Sequence, residues 1–160
     1  MIFRKTICIP ALFCALVFIS CKPKATQIEA EVVEKKPAVL SYPALGNQDI
    51  SNLYSIVDKV DMIFYEMPIS VNQDDAASAK NSVLYVSPSP VVLNASCKAW
   101  GRLSWISDGK IVREADFYND SLCHYFIFME NNKPVAANAM AESGRLFFEN
   151  IVSQVQQRQQ

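Results

Sequence analysis

Glycine is scarce in this chain, with four residues in 160, and histidine occurs once. Glycines at 46, 101, 109 and 144 do not assemble the glycine-rich loop that cradles phosphate. A single histidine and scattered carboxylates give no compact zinc-ligand spacing. Asn72, Asp74 and Asp75 are clustered but lack the glycine and terminal carboxylate of a calcium loop, so a helix cap explains them more simply. There is no Cys-x-x-Cys redox pair and no serine in a nucleophile elbow. Charged residues make up only 19% of the chain, and the formal net charge is −1. No basic stripe interleaved with aromatics is present, which removes the positive face that a nucleic-acid partner needs. No internal repeat is visible, and no cofactor is expected.

What the chain has is apolar residues, 51% of the total, enough for one domain with a real core. Their first concentration is at the N-terminus. Arg4 and Lys5 precede an apolar run from Ile7 to Ile19, interrupted only by Cys8, Pro10 and Cys14. A basic flank followed by a short apolar stretch is the physical form of a secretory signal. The run is shorter than the roughly 20 apolar residues of a membrane-spanning helix.

Phe18, Ile19, Ser20 and Cys21 close this segment. They resemble the lipobox of bacterial lipoproteins, with small Ser20 before the cysteine and Phe18 where that signal usually has leucine. The resemblance covers the N-terminus alone. It implies cleavage before Cys21 and a diacylglycerol on its sulfur, and several acyl chains give stable anchoring. Lys22 stands where an aspartate often retains such proteins in the inner membrane. An outer-membrane position facing the periplasm is therefore expected, with residues 1–20 removed as the signal. Loss of Arg4 and Lys5 leaves 13 of 15 basic groups against 16 acidic ones, so −1 becomes −3.

Of five cysteines, Cys8 and Cys14 leave with the signal and Cys21 carries lipid. Cys97 and Cys123 remain, and an even pair in an oxidising compartment points to a disulfide. Its alternative is two buried thiols.

Residues 21–46 read as a tether, rich in proline and mixed charge. Residues 47–160 read as one α+β domain: a four-stranded antiparallel meander packed with an N-terminal helical segment and a C-terminal helix. Leu53, Ile56, Val57, Val60, Ile63 and Phe64 recur at helical spacing and predict a helix from about Ile50 to Glu66. A second helix is predicted from Asp74 to about Tyr85, with a strand at Ser82–Ser87 as its rival. The meander strands are expected at 98–107, 110–118, 122–130 and 134–140. Asp108-Gly109 supplies the first tight turn, and Pro134 predicts that the last strand begins at an edge. Glu142 to Gln156 completes the chain as a helix.

Direct turns would place Leu103, Trp105, Val112, Tyr118, Phe126, Phe128, Val135 and Ala137 on one sheet face. Neither face would then be cleanly polar. That leaves two readings, an apolar face available to a partner or a bulge that exchanges the faces.

In the direct-turn register His124 lies opposite Asp116, with Glu114 on the same strand face. This would allow a small envelope hydrolase, although no nucleophile accompanies the set. Trp100, Arg102, Arg113 and Tyr125 form the candidate interaction surface, aromatic anchors rimmed by guanidinium groups. The favoured expectation is a non-catalytic, lipid-anchored envelope module that binds a protein partner or a second copy of itself. Carriage of a small apolar ligand is the other alternative.

Overall fold

The computed structural model describes residues 41–158. The signal, Cys21 and the tether up to residue 40 lie outside the described residues. Three helices and seven strands follow in the order α1 (Asn47–Ile56), β1 (Lys59–Phe64), β2 (Ser70–Gln73), α2 (Ala76–Val83), β3 (Val86–Pro90), β4 (Gly101–Ser107), β5 (Lys110–Asp120), β6 (Cys123–Glu130), β7 (Lys133–Met140) and α3 (Glu142–Arg158). The strands form one antiparallel sheet in the order β2-β1-β4-β5-β6-β7-β3. The expected four-stranded meander with two helical segments is thus corrected to a seven-stranded sheet with three helices. No described helix is long and apolar enough to cross a membrane.

One of the missing strands, β1, comes from a segment whose sequence fits two periods. Val57, Val60 and Phe64 suit a helix, but Val60, Met62 and Phe64 also alternate. In the fold α1 stops at Ile56 and Val57 turns extended. Val60, Met62 and Phe64 then point into the core while Ile63 stays exposed. Pairing with β4 on one side and β2 on the other satisfies their backbone groups and overrides the helical pattern. In the next segment Asp75 caps α2 by accepting the Ser78 amide at 2.8 Å. The chain then leaves the helix in time for Val86 to pair with Met140 on β7.

Pro134 does not mark an edge, because β3 lies beyond β7. It is tolerated because β3 pairs only with Asn138 and Met140 and never reaches it.

Two bulges set the faces. Trp105 pairs with Arg113 while Ile106 pairs with Ile111, so Val112 is an extra residue on β5. Phe128 pairs with Ala136 while Met129 pairs with Pro134, so Val135 is extra on β7. Each insertion reverses the alternation beyond it. The faces expected from direct turns are corrected accordingly: Leu103 and Trp105 share their side with Ala115 and Phe117, not with Val112 and Tyr118.

All three helices contribute to the core on one side of the sheet. Leu53, Ala79, Val83 and Phe148 close over Met62, Leu103, Trp105, Phe117, Phe126 and Phe128, all buried. Phe148 of α3 stacks on Phe117 with ring centroids 4.2 Å apart and meets Phe64 and Phe126 edge-on. Gly101 permits the Phe117 ring to lie against β4, because a Cβ there would strike the Ile63 carbonyl and that ring. Trp105 Nε1 donates to Ser82 Oγ at 2.8 Å, and Ser82 donates to the Ala79 carbonyl, so these buried polar groups are paired.

Candidate functional site

The opposite side of the sheet has no helix. Arg102, Ser104, Glu114, Asp116, Tyr118, Ile127 and Met129 project there, all half-buried. The connection from β3 to β4, residues 91–100, must cross from the sheet edge to its centre and passes over this side. Several bonds hold it down, among them that of the Tyr65 amide to the Trp100 carbonyl at 2.9 Å. Cys97 lies at disulfide distance from Cys123 of β6, with Cα atoms 6.4 Å apart. Tyr125 Oη donates to the Asn94 carbonyl at 3.4 Å, and the Trp100 amide donates to the Phe117 carbonyl at 2.8 Å.

Between this crossing segment and the strands lies a cleft of about 330 Å³. Leu93 and Asn94 form one wall; Tyr118, Tyr125, Ile127 and Met129 form the floor. Tyr118 and Tyr125 stack with centroids 4.5 Å apart. Tyr42 also lines the cleft. It is positioned because the segment ahead of α1 is fastened to β7. Ala137 donates its amide to the Pro43 carbonyl, and the buried Asn138 side chain bonds both the amide and carbonyl of Leu45. Asn138 also donates to the Ser87 carbonyl at 2.9 Å.

Asp116 lines the cleft as well. Its carboxylate receives Arg102 Nε at 2.7 Å, Arg102 Nη2 at 3.3 Å and Tyr65 Oη at 2.7 Å. A two-pronged guanidinium pair with a third donor fixes the orientation of the carboxylate. Burial, reinforced by the Asp116 carboxylate, pushes the Tyr65 phenol up to about 12. The Arg102 guanidinium is held above its ordinary range by its bond to Asp116. Beside them Ser104 Oγ donates to Glu114 at 3.1 Å. Arg102 and Asp116 neutralise each other, while Glu114 is held by a hydroxyl donor alone.

The residues singled out in the sequence are dispersed. His124 pairs across strands with Asn119, not with Asp116. Its Nδ1 lies 3.0 Å from Asn119 Oδ1, and Asn119 Nδ2 donates to the Arg145 carbonyl on α3. His124 therefore belongs to the helix-covered side, whereas Asp116 and Glu114 project from the other. The turn after β5 is the cause: Asp120 pairs with Cys123, placing the reversal at Ser121 and Leu122 rather than around Asp120. Of the four interaction candidates, Arg102 and Tyr125 share the cleft side, but Tyr125 is only 3% exposed. Arg113, opposite Trp105, lies on the helix side. Trp100 precedes β4 and packs against the core as a half-buried ring.

Tyr65, Tyr42, Leu93 and Asn94 escaped the sequence reading. Tyr65 was hidden by the helix predicted across β1. The other three lie in segments without periodicity; the crossing path brings Leu93 and Asn94 to the sheet, and the bonds of Pro43 and Leu45 to β7 bring Tyr42. Among the described residues no group of histidine, cysteine and carboxylate side chains is placed to hold a metal ion. No family profile, no curated protein and no solved structure matches the chain.

Proposed function

We propose that this chain is a lipid-anchored module of the bacterial cell envelope that binds a protein partner through the helix-free side of its sheet, without catalysis. The observation that carries the reading is the character of that side. It has an apolar, tyrosine-floored cleft beside an ion-paired rim, and every rim carboxylate already has a partner. Aromatic anchors with a polar border are the usual composition of a binding surface. The basic leader, the apolar run and Ser20-Cys21 support the anchor. A cysteine pair at disulfide distance suits an oxidising compartment. His124 shares no site with Asp116 or Glu114, so the hydrolase alternative is not carried forward.

Two experiments test the reading. Mass spectrometry of the protein from its native host should find residue 21 as an acylated N-terminus, and Cys21→Ala should abolish acylation and retain the leader. Photocrosslinking in intact cells should trap a defined partner from position 127 or 104 and not from exposed Leu146 on α3. Equal yields from all three positions would sink the assignment of the surface.

A further inference from the structure

The two edges of the sheet are built differently. β3, at one edge, carries Pro88 and Pro90 and an irregular register against β7. Proline removes ladder donors, and irregular pairing discourages a further strand, so this edge is protected. β2, at the other edge, reads Ser70, Val71, Asn72 and Gln73, with no proline and no charge. Among the described residues no strand pairs with its outer side. Alongside it runs a groove of about 340 Å³ between β2 and α3. Phe147, Ile151 and Val155 follow one another at four-residue spacing along α3 and line this groove, each half-buried. Val71 lines it from the strand.

Two polar features specify what would fill it. Gln73 Oε1, which belongs to the groove lining residue, is buried without a hydrogen-bond donor. An unpaired buried acceptor is costly, and a peptide amide would satisfy it. Arg158 also lines the groove and makes no ion pair among the described residues.

We infer that the β2 edge and the β2–α3 groove receive an extended polypeptide strand from a partner protein, apolar at alternate positions and carrying a carboxylate that meets Arg158. Main-chain bonds to β2 supply affinity, and alternate side chains enter the groove, which is strand addition to a sheet edge. The site is separate from the cleft, and its failure would leave the cleft reading intact.

Selection of phage-displayed random dodecapeptides on the full chain tests it. Enriched peptides should alternate apolar and polar residues and include an acidic group. Their synthetic forms should slow amide exchange at residues 70–73. Ile151→Asp should weaken them about tenfold or more. Arg158→Glu, a change at an exposed helix end that leaves the core untouched, should remove the preference for acidic peptides. No enrichment, exchange protection confined to the cleft, undiminished binding by both variants, or self-association through β2 in sedimentation would each overturn the inference.

Discussion

Asn138 concentrates more structure than any neighbour of its size. Its one acceptor and both donors are used, joining β7 to Leu45 and to Ser87. Asn138→Ala would leave three half-buried backbone groups, two of Leu45 and one of Ser87, without this partner. At roughly 1–3 kcal/mol for each unsatisfied group, a total loss of about 3 kcal/mol is expected in urea unfolding. Tyr65 offers a second test. Its phenol is held protonated by burial and by Asp116, so the folded state binds that proton more tightly than the unfolded chain. The resulting stability is complete below pH 10 and is lost as pH rises from 10 toward 12. Tyr65→Phe should flatten this part of the stability-versus-pH curve, and absorbance titration should show one fewer late-ionising phenol. Neither role could be read beforehand. Asn138 stands in an apolar strand whose partners come from more than 50 positions away. Tyr65 meets Asp116 across 51 positions.

Among the elements, two of the hairpin turns were legible because their chemistry is local. Asp108 and Gly109 both take positive φ, at 50° and 73°, as a two-residue turn requires. Asn131 and Asn132 do the same at 50° and 59°. The strands they join were placed within a few residues. The faces were not, since Val112 and Val135 look like ordinary strand residues and only pairing with a neighbour reveals them as bulges. β1 was obscured for a similar reason, its apolar positions fitting helix and strand alike. Gly101→Ala checks the close contact at the β1–β4–β5 crossing. The added methyl would meet both the Ile63 carbonyl and the Phe117 ring, with an expected cost of about 2–3 kcal/mol. Thermal unfolding by circular dichroism would measure it. An unchanged midpoint would mean that the strands separate there without cost.

For the whole molecule, the Cys97–Cys123 pair is the one cross-link from the crossing segment to the sheet among the described residues. It closes a loop with a sequence separation of 26. Bridging a loop of that length contributes about 3 kcal/mol by restricting the unfolded chain. Replacing both cysteines with serine should lower unfolding free energy by about that amount and speed amide exchange at 91–100 more than in β4–β7. Equal acceleration everywhere would show that the pair acts on global stability alone. The cleft owes its existence to this arrangement, because Leu93 and Asn94 have no element of their own to hold them there.

The sequence by itself determined the turns at Asp108-Gly109 and Asn131-Asn132, the C-terminal helix, the pairing partner available to Cys97 and the expectation of a lipid-bearing leader. Each follows from chemistry within a short window or from counting what remains. Tertiary structure decided that the sheet has seven strands, which side the helices cover, and which side chains meet at the cleft. Those outcomes depend on pairings between distant segments, where one inserted residue reverses a face and the backbone's need for partners outweighs local periodicity.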